Sequence, residues 1–216
     1  MFDAVNHCLQ TMQSKVLLVY AGTVFNGVSR ENGMRNIKLV VGSKSIGKAL
    51  TWAYPHGQKH GIFTIPTYAL MVSGMDATGK SVSKKFEVLR FGIKCEKGGS
   101  PAVVGLADQQ THIIKAWLPN YSVHSARSIE KGAWQVHGNF LIHDGPDDPK
   151  KEIYASVGCI EICNGPRGFD EFNDLIISLS GTTKKGRAAQ LAEIGHSKNM
   201  MITYMAAARP AYGKAP

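Results

Sequence analysis

Along most of the chain apolar and polar residues alternate in short runs, the period of a half-buried strand. Such runs are Asn36–Ser43 (NIKLVVGS), Lys85–Ile93 (KFEVLRFGI), Thr111–Pro119 (THIIKAWLP) and Trp134–Gly145 (WQVHGNFLIHDG). Gly61–Ser73 is rich in Ile, Thr, Phe and Tyr and also predicts a strand, with Pro66 breaking it or placing it on an edge. Lys15–Phe25, apolar and β-branched with Gly22 and Gly27 as its bounds, predicts a strand or a strand pair. The chain's 23 glycines punctuate these runs as turns. The helical period comes late. Phe169, Phe172, Leu175, Ile176 and Leu179 share one face of a helix that Gly181 stops. Arg187–Ile194 predicts a second short helix, and Met200–Ala207 a closing strand. Strands followed by one or two helices and a last strand predict an α+β, β-rich domain, a partly closed barrel or sandwich. No repeat or long low-complexity segment divides it, so residues 1–216 read as a single domain with its core over about 15–207.

Composition changes this picture little. Hydrophobic residues are 44% and charged residues 19% of 216, an ordinary globular balance that excludes a disordered chain. No stretch reaches the roughly 18 consecutive apolar residues of a membrane helix, so no membrane span is expected. The net charge of +9 is the strongest bulk feature and points to an anionic partner. It is unevenly spread: +8 over residues 1–100, −4 over 101–180 and +5 over 181–216. Neither aromatic–basic interleaving nor a DNA-reading motif accompanies it, so nucleic acid is not the expected partner. Four cysteines (Cys8, Cys95, Cys159, Cys163), none in paired CxxC units, predict neither a disulfide framework nor a zinc site. The opening MFDAVNHCLQTMQSK has an acid at Asp3 and lacks a basic n-region and a continuous apolar core. The expectation is of a chain made in the cytoplasm that does not use the Sec route.

The chemistry concentrates in FLIHDGPDDPKKEIYASVGCIEI, Phe140–Ile162. An apolar run delivers His143 to the turn Asp144-Gly145-Pro146, and a polar loop then leads to Ser156-Val157-Gly158-Cys159-Ile160. A nucleophilic cysteine needs a base, a small neighbour that admits substrate, and N–H donors for the oxyanion. His143 can be the base, Gly158 the small neighbour, and the N–H groups of Gly158 and Cys159 the oxyanion donors. Ser156 can orient the loop or add a donor. The 16-residue spacing from His143 to Cys159 lets two adjacent strands bring them together. His137, six residues before His143 on the same inferred strand, is the rival base, and otherwise a supporting or substrate-facing residue. Tyr154, Ser156 and Trp134, close to the motif in sequence, are substrate-binding candidates. By itself a cysteine between Gly and Ile is a small buried hydrophobe. The frame around Cys159 makes it a nucleophile candidate, whereas Cys163 reads as structural.

This segment resembles the L,D-transpeptidase (YkuD-type) family, whose signature is a histidine on a strand, a loop of about this length, and Ser/Thr-x-Gly-Cys followed by an apolar residue. The matching residues are Ile142, His143, Ser156, Gly158, Cys159 and Ile160. Two positions depart from the common pattern: Val157 where many members have histidine, and Glu161 where many have an arginine that faces the substrate. The resemblance implies a β-rich L,D-transpeptidase-like sheet or barrel and a thioester on Cys159 formed with the stem peptide of peptidoglycan. It also implies release of a terminal D-alanine, and resolution by water (L,D-carboxypeptidase) or by an amine (cross-linking or exchange). No metal or organic cofactor is required. In the family the main-chain carbonyl after the histidine orients the imidazole, a role that falls to Asp144. A wall substrate with no Sec signal implies delivery to the periplasm by another apparatus, as for antibacterial effectors of type VI secretion. Such toxins pair with an immunity protein that blocks the cleft.

Other motifs carry less. GSKSIGK (Gly42–Lys48) fails the P-loop pattern because Ala49 follows Lys48, and it reads as a polar hairpin turn. His56 and His60 lie in a glycine-flanked loop without carboxylates, and Asp144, Asp147 and Asp148 lack an EF-hand frame, so no metal site is expected. Two alternatives to the enzyme stay open: a basic polyanion-binding module, and an adaptor β-domain with a non-catalytic Cys159.

Overall fold

The computed structural model describes residues 33–55, 57–97, 99–121 and 131–215. The expected strand Lys15–Phe25, Cys8 and His56 lie outside the described residues. Thirteen strands and two helices are described. In chain order the strands are β1 (Ile37–Trp52), β2 (Ile62–Met75), β3 (Ser81–Leu89), β4 (Gly92–Lys94), β5 (Ala102–Val104), β6 (Gln110–Ile113), β7 (Ala116–Leu118), β8 (Ala133–His137), β9 (Phe140–Asp144), β10 (Ile153–Ala155) and β11 (Ile160–Ile162). Helices α1 (Gly168–Ser180) and α2 (Arg187–Ser197) follow, then β12 (Met200–Tyr204) and β13 (Gly213–Lys214). A large mixed sheet with two helices is the architecture of the α+β class. Among the described residues no helix is long and apolar enough to cross a membrane.

The main sheet runs β6-β12-β1-β2-β3-β11-β9-β8-β7, with β10 on β1 and β13 on β2, while β4 and β5 form a separate ribbon. Three pairings are parallel: β1 with β12, β1 with β10, and β9 with β11. The rest are antiparallel. β1 is longer than the pattern predicts because a bulge between Val41 and Gly47 carries it across two sets of partners. Its first half pairs β12 and its end pairs β10. Pro66 neither breaks β2 nor sits on an outer strand. It falls in a gap, since β3 pairs β2 from Tyr68 onward and β13 reaches only Phe63 and Thr64. The missing N–H is therefore tolerated at a local edge.

Three runs that read as single strands are each split. Arg90 and Phe91 separate β3 from β4, and Ile114 and Lys115 separate β6 from β7. Trp134–Gly145 is a hairpin, β8 and β9, turning at Gly138-Asn139. Period alone cannot show a tight turn inside an apolar run.

Helix α1 buries Phe169, Phe172, Ile176 and Leu179 against the sheet as its 3.6-residue spacing demands, and Leu175 lies at the rim. Gly181, in the left-handed conformation, ends the helix where expected. The Phe172 ring meets Phe86 of β3 edge-on at 5.6 Å. Trp134 donates its indole N–H to Asn173 Oδ1 at 2.8 Å, tying β8 to α1. With Ile37, Leu39, Val72, Val88, Ile142, Ile160, Ile162, Ile202 and their neighbours these residues make one continuous apolar core.

Candidate functional site

Strands β9 and β11 run side by side and parallel, with Ile142 opposite Ile160, His143 opposite Glu161 and Asp144 opposite Ile162. Side chains alternate across a strand. Ile142, Ile160 and Ile162 enter the helix-covered core. His143 and Glu161 therefore point to the other face, and Cys159, two residues before Glu161, joins them. It packs in one cluster with Leu141 and with Ala133, the residue paired with His143 across the hairpin. Diagonal neighbours of this kind lie about 7–8 Å apart, within reach of an imidazole. The spacing of 16 from His143 to Cys159 thus sets the histidine on β9 and the cysteine immediately before β11, on one face.

His143 is fully buried, and its Nδ1–H donates to the main-chain carbonyl of Asp144 at 2.7 Å. A carbonyl can only accept, so the proton sits on Nδ1 and the lone pair of the neutral ring is on Nε2. The Asp144 carboxylate, itself buried, turns to Lys131, 3.4 Å away. Cys159 is 5% exposed, and its Sγ lies 3.8 Å from the Asn139 carbonyl in the β8–β9 turn. Burial above all pushes the thiol pKa up to about 12; a hydrogen bond from the Leu141 main chain opposes that, and the charge of Glu161 adds to it. At neutral pH the resting group is a thiol.

The loop before the cysteine is shaped by Gly158 and Ser156. Gly158 has φ +97°, and a Cβ there would lie 2.5 Å from Gly105 Cα and 3.1 Å from the Phe140 ring. Only glycine fits. Its N–H, expected as an oxyanion donor, is directed instead to Ser156 Oγ at 3.3 Å. Ser156, fully buried, thus orients the loop. The segment after β5 is the cover: Gly105 lies over Gly158, and Gly92 at the start of β4 abuts the Ser156 carbonyl.

The remaining candidates are scattered. His137 does not share a strand with His143, because the Gly138-Asn139 turn falls between them. It is exposed at the end of β8, its ring stacked 4.6 Å from that of His112. Trp134 is fully buried in the helix-covered core and offers no surface to a substrate. Tyr154 sits half-buried on β10, its carbonyl accepting from Thr51 Oγ1 at 2.7 Å. Cys163 is buried with Leu89, Ile93 and Cys95 in a second apolar cluster.

Two residues of this region gave no signal in the sequence. Arg90 is fully buried, donating to the carbonyls of Gly42 at 2.9 Å and Leu106 at 2.8 Å, with its guanidinium 5.1–5.7 Å from the rings of Phe91, Tyr68 and Tyr204. It clamps the segment after β5 to the β1 bulge. Tyr204 is also buried; its hydroxyl has no hydrogen-bond partner among the described residues, and burial raises its pKa. In an alternating run an arginine reads as a solvent-facing position, so only the tertiary structure reveals the inward turn at Arg90.

Fold and site together define an α+β protein with a buried histidine, cysteine and glutamate on one face of two parallel strands. Comparison with protein-family models, with curated proteins and with solved structures returned no match.

Proposed function

We propose that the protein is a cysteine-dependent acyltransferase or peptidase of the L,D-transpeptidase type, acting on peptidoglycan stem peptides through a thioester on Cys159. The observation that carries this reading is the parallel register of β9 and β11 with the His143 Nδ1–Asp144 carbonyl bond. It puts a thiol and an imidazole on one face, with the ring's lone pair on Nε2, the tautomer a general base needs. On this reading His143 Nε2 takes the Cys159 proton as the sulfur attacks the peptide carbonyl. The N–H of Cys159 supports the oxyanion, joined by that of Gly158 if it leaves Ser156. His143 then returns the proton to the leaving D-alanine amine as the C–N bond breaks. Water or an acceptor amine, deprotonated by His143, cleaves the thioester and restores the thiol. Because the resting thiol is protonated, proton transfer accompanies attack instead of preceding it. The turn at Gly138-Asn139 and the cover at Gly105 must give way for a carbonyl to reach the sulfur.

A structural role for Cys159 is the second reading, supported by its burial and raised pKa. Purified muropeptides separate the two. The enzyme reading expects loss or exchange of terminal D-alanine, seen by mass, and its disappearance in Cys159→Ala and in His143→Ala. Activity retained in Cys159→Ala would overturn the mechanism.

A further inference from the structure

Glu161 is the residue of this face for which the chemistry above has no use. It is fully buried, and the β9–β11 register sets it directly opposite His143. Adjacent strands are about 4.8 Å apart, whereas residues two apart on one strand are separated by about 6.6 Å. The carboxylate is thus rooted closer to the imidazole than to Cys159. The fold makes room for it: a Cβ on Gly145, the residue two beyond His143, would lie 2.9 Å from Glu161 Cβ.

We propose that Glu161 is a positioning residue for His143, raising the proton affinity of the imidazole through space and stabilising the imidazolium that forms when it takes the Cys159 proton. This rests on the enzyme reading for its purpose. The Asp144 carbonyl occupies Nδ1, so Glu161 acts by its field and not as the hydrogen-bonded third member of a triad. Its charge also disfavours the Cys159 thiolate. Rooted nearer to His143, it acts first on the imidazole that receives the proton during attack. The other ionisable groups facing this pair are Cys159 and Cys163 on either side of β11, Asp144 with Lys131 beside it, and Glu87 on β3, which Thr67 holds by a hydrogen bond. Leu89 and Ala133, the strand partners of Glu161 and His143, are apolar.

The test is the titration of His143 followed by imidazole nitrogen NMR in the full chain and in Glu161→Gln. The variant is expected to lower the His143 pKa by about one unit, a tenfold loss of proton affinity, with Glu161→Asp restoring part of it. The acid limb of kcat/KM on muropeptides should move to lower pH in step. In the unsubstituted protein the Glu161 carboxyl carbon should shift as His143 titrates, a readout that stands even where Glu161→Gln does not fold. A His143 pKa moved by less than about 0.3 unit in folded Glu161→Gln, or a carboxyl signal indifferent to His143, would overturn the proposal even if muropeptides are turned over. A shifted titration without turnover upholds it and counts against the enzyme reading instead.

Discussion

Strands β9 and β11 present two faces built from alternate residues of the same few positions. One carries Ile142, Ile160 and Ile162 under helix α1, and its neighbours are almost wholly apolar. The other carries Cys159, Glu161 and His143, equally hidden from solvent but ionisable. A strand buried on both faces for stability alone would be apolar throughout, because a buried charge or imidazole is expensive to desolvate. The first face derives its strength from volume and contact. The second depends on backbone conformation, protonation state and a few directed hydrogen bonds. They should therefore fail in different ways.

The largest effect belongs to the apolar face. Phe172 is fully buried, meets Phe86 edge-on and stacks with Phe169 at 6.0 Å. Phe172→Ala leaves a ring-sized void between helix and sheet and should destabilise the fold by about 3–5 kcal/mol. Urea unfolding measures it. A loss below about 1 kcal/mol would mean that α1 is not held by this contact.

The second effect is on the other face and owes nothing to a void. Gly158→Ala adds a methyl group, yet it combines a disallowed φ with a 2.5 Å approach to Gly105 Cα. We expect about 2–3 kcal/mol of destabilisation, or a displaced cover that raises the alkylation rate of Cys159. Paired unfolding and iodoacetamide measurements distinguish these. Unchanged values in both would show that the cover is not held against the Gly158 loop.

These contrasts explain what could be read from the chain alone. The α1 face was legible because Phe169, Phe172, Ile176 and Leu179 repeat at helical spacing and Gly181 stops them. The His143 and Cys159 strands were legible because a short motif carries its chemistry in adjacent residues. The Asp144 carbonyl bond follows the orientation that the family resemblance implies. What period cannot show is where an apolar run folds back on itself. The turn at Gly138-Asn139 moved His137 off the strand of His143, and Trp134, paired with Ile142, lies in the core. Nor can it show which charges turn inward. Arg90 finds carbonyls and rings contributed by β1, β2, the segment after β5 and β12, partners scattered along the chain. Glu161 faces His143 only through a parallel register that no local signal encodes.

The subtlest consequence of the second face is a slope with pH. Burial pushes the Cys159 thiol up to about 12 in the fold, against an ordinary value of 9.0. The folded state therefore holds its proton through a range in which the unfolded state releases it. Below pH 9 neither state has released it and the group contributes no pH dependence. Between about pH 9 and 12 the unfolded chain binds one proton fewer, and stability falls by about 1.4 kcal/mol per pH unit from this group. Cys163 and Tyr204, also buried and also raised, add to the same fall. Cys159→Ala should sit within about 1 kcal/mol of the unsubstituted protein at pH 7, because it loses only a sulfur. As pH rises past 9 the gap should narrow and then reverse, since the alanine variant lacks one of the titrating groups. Urea midpoints at pH 7, 9, 10 and 11 read this directly. Parallel curves would mean that Cys159 titrates alike in both states, and the thiol would then be solvated, which would bring the second face closer to an open active site than its burial implies.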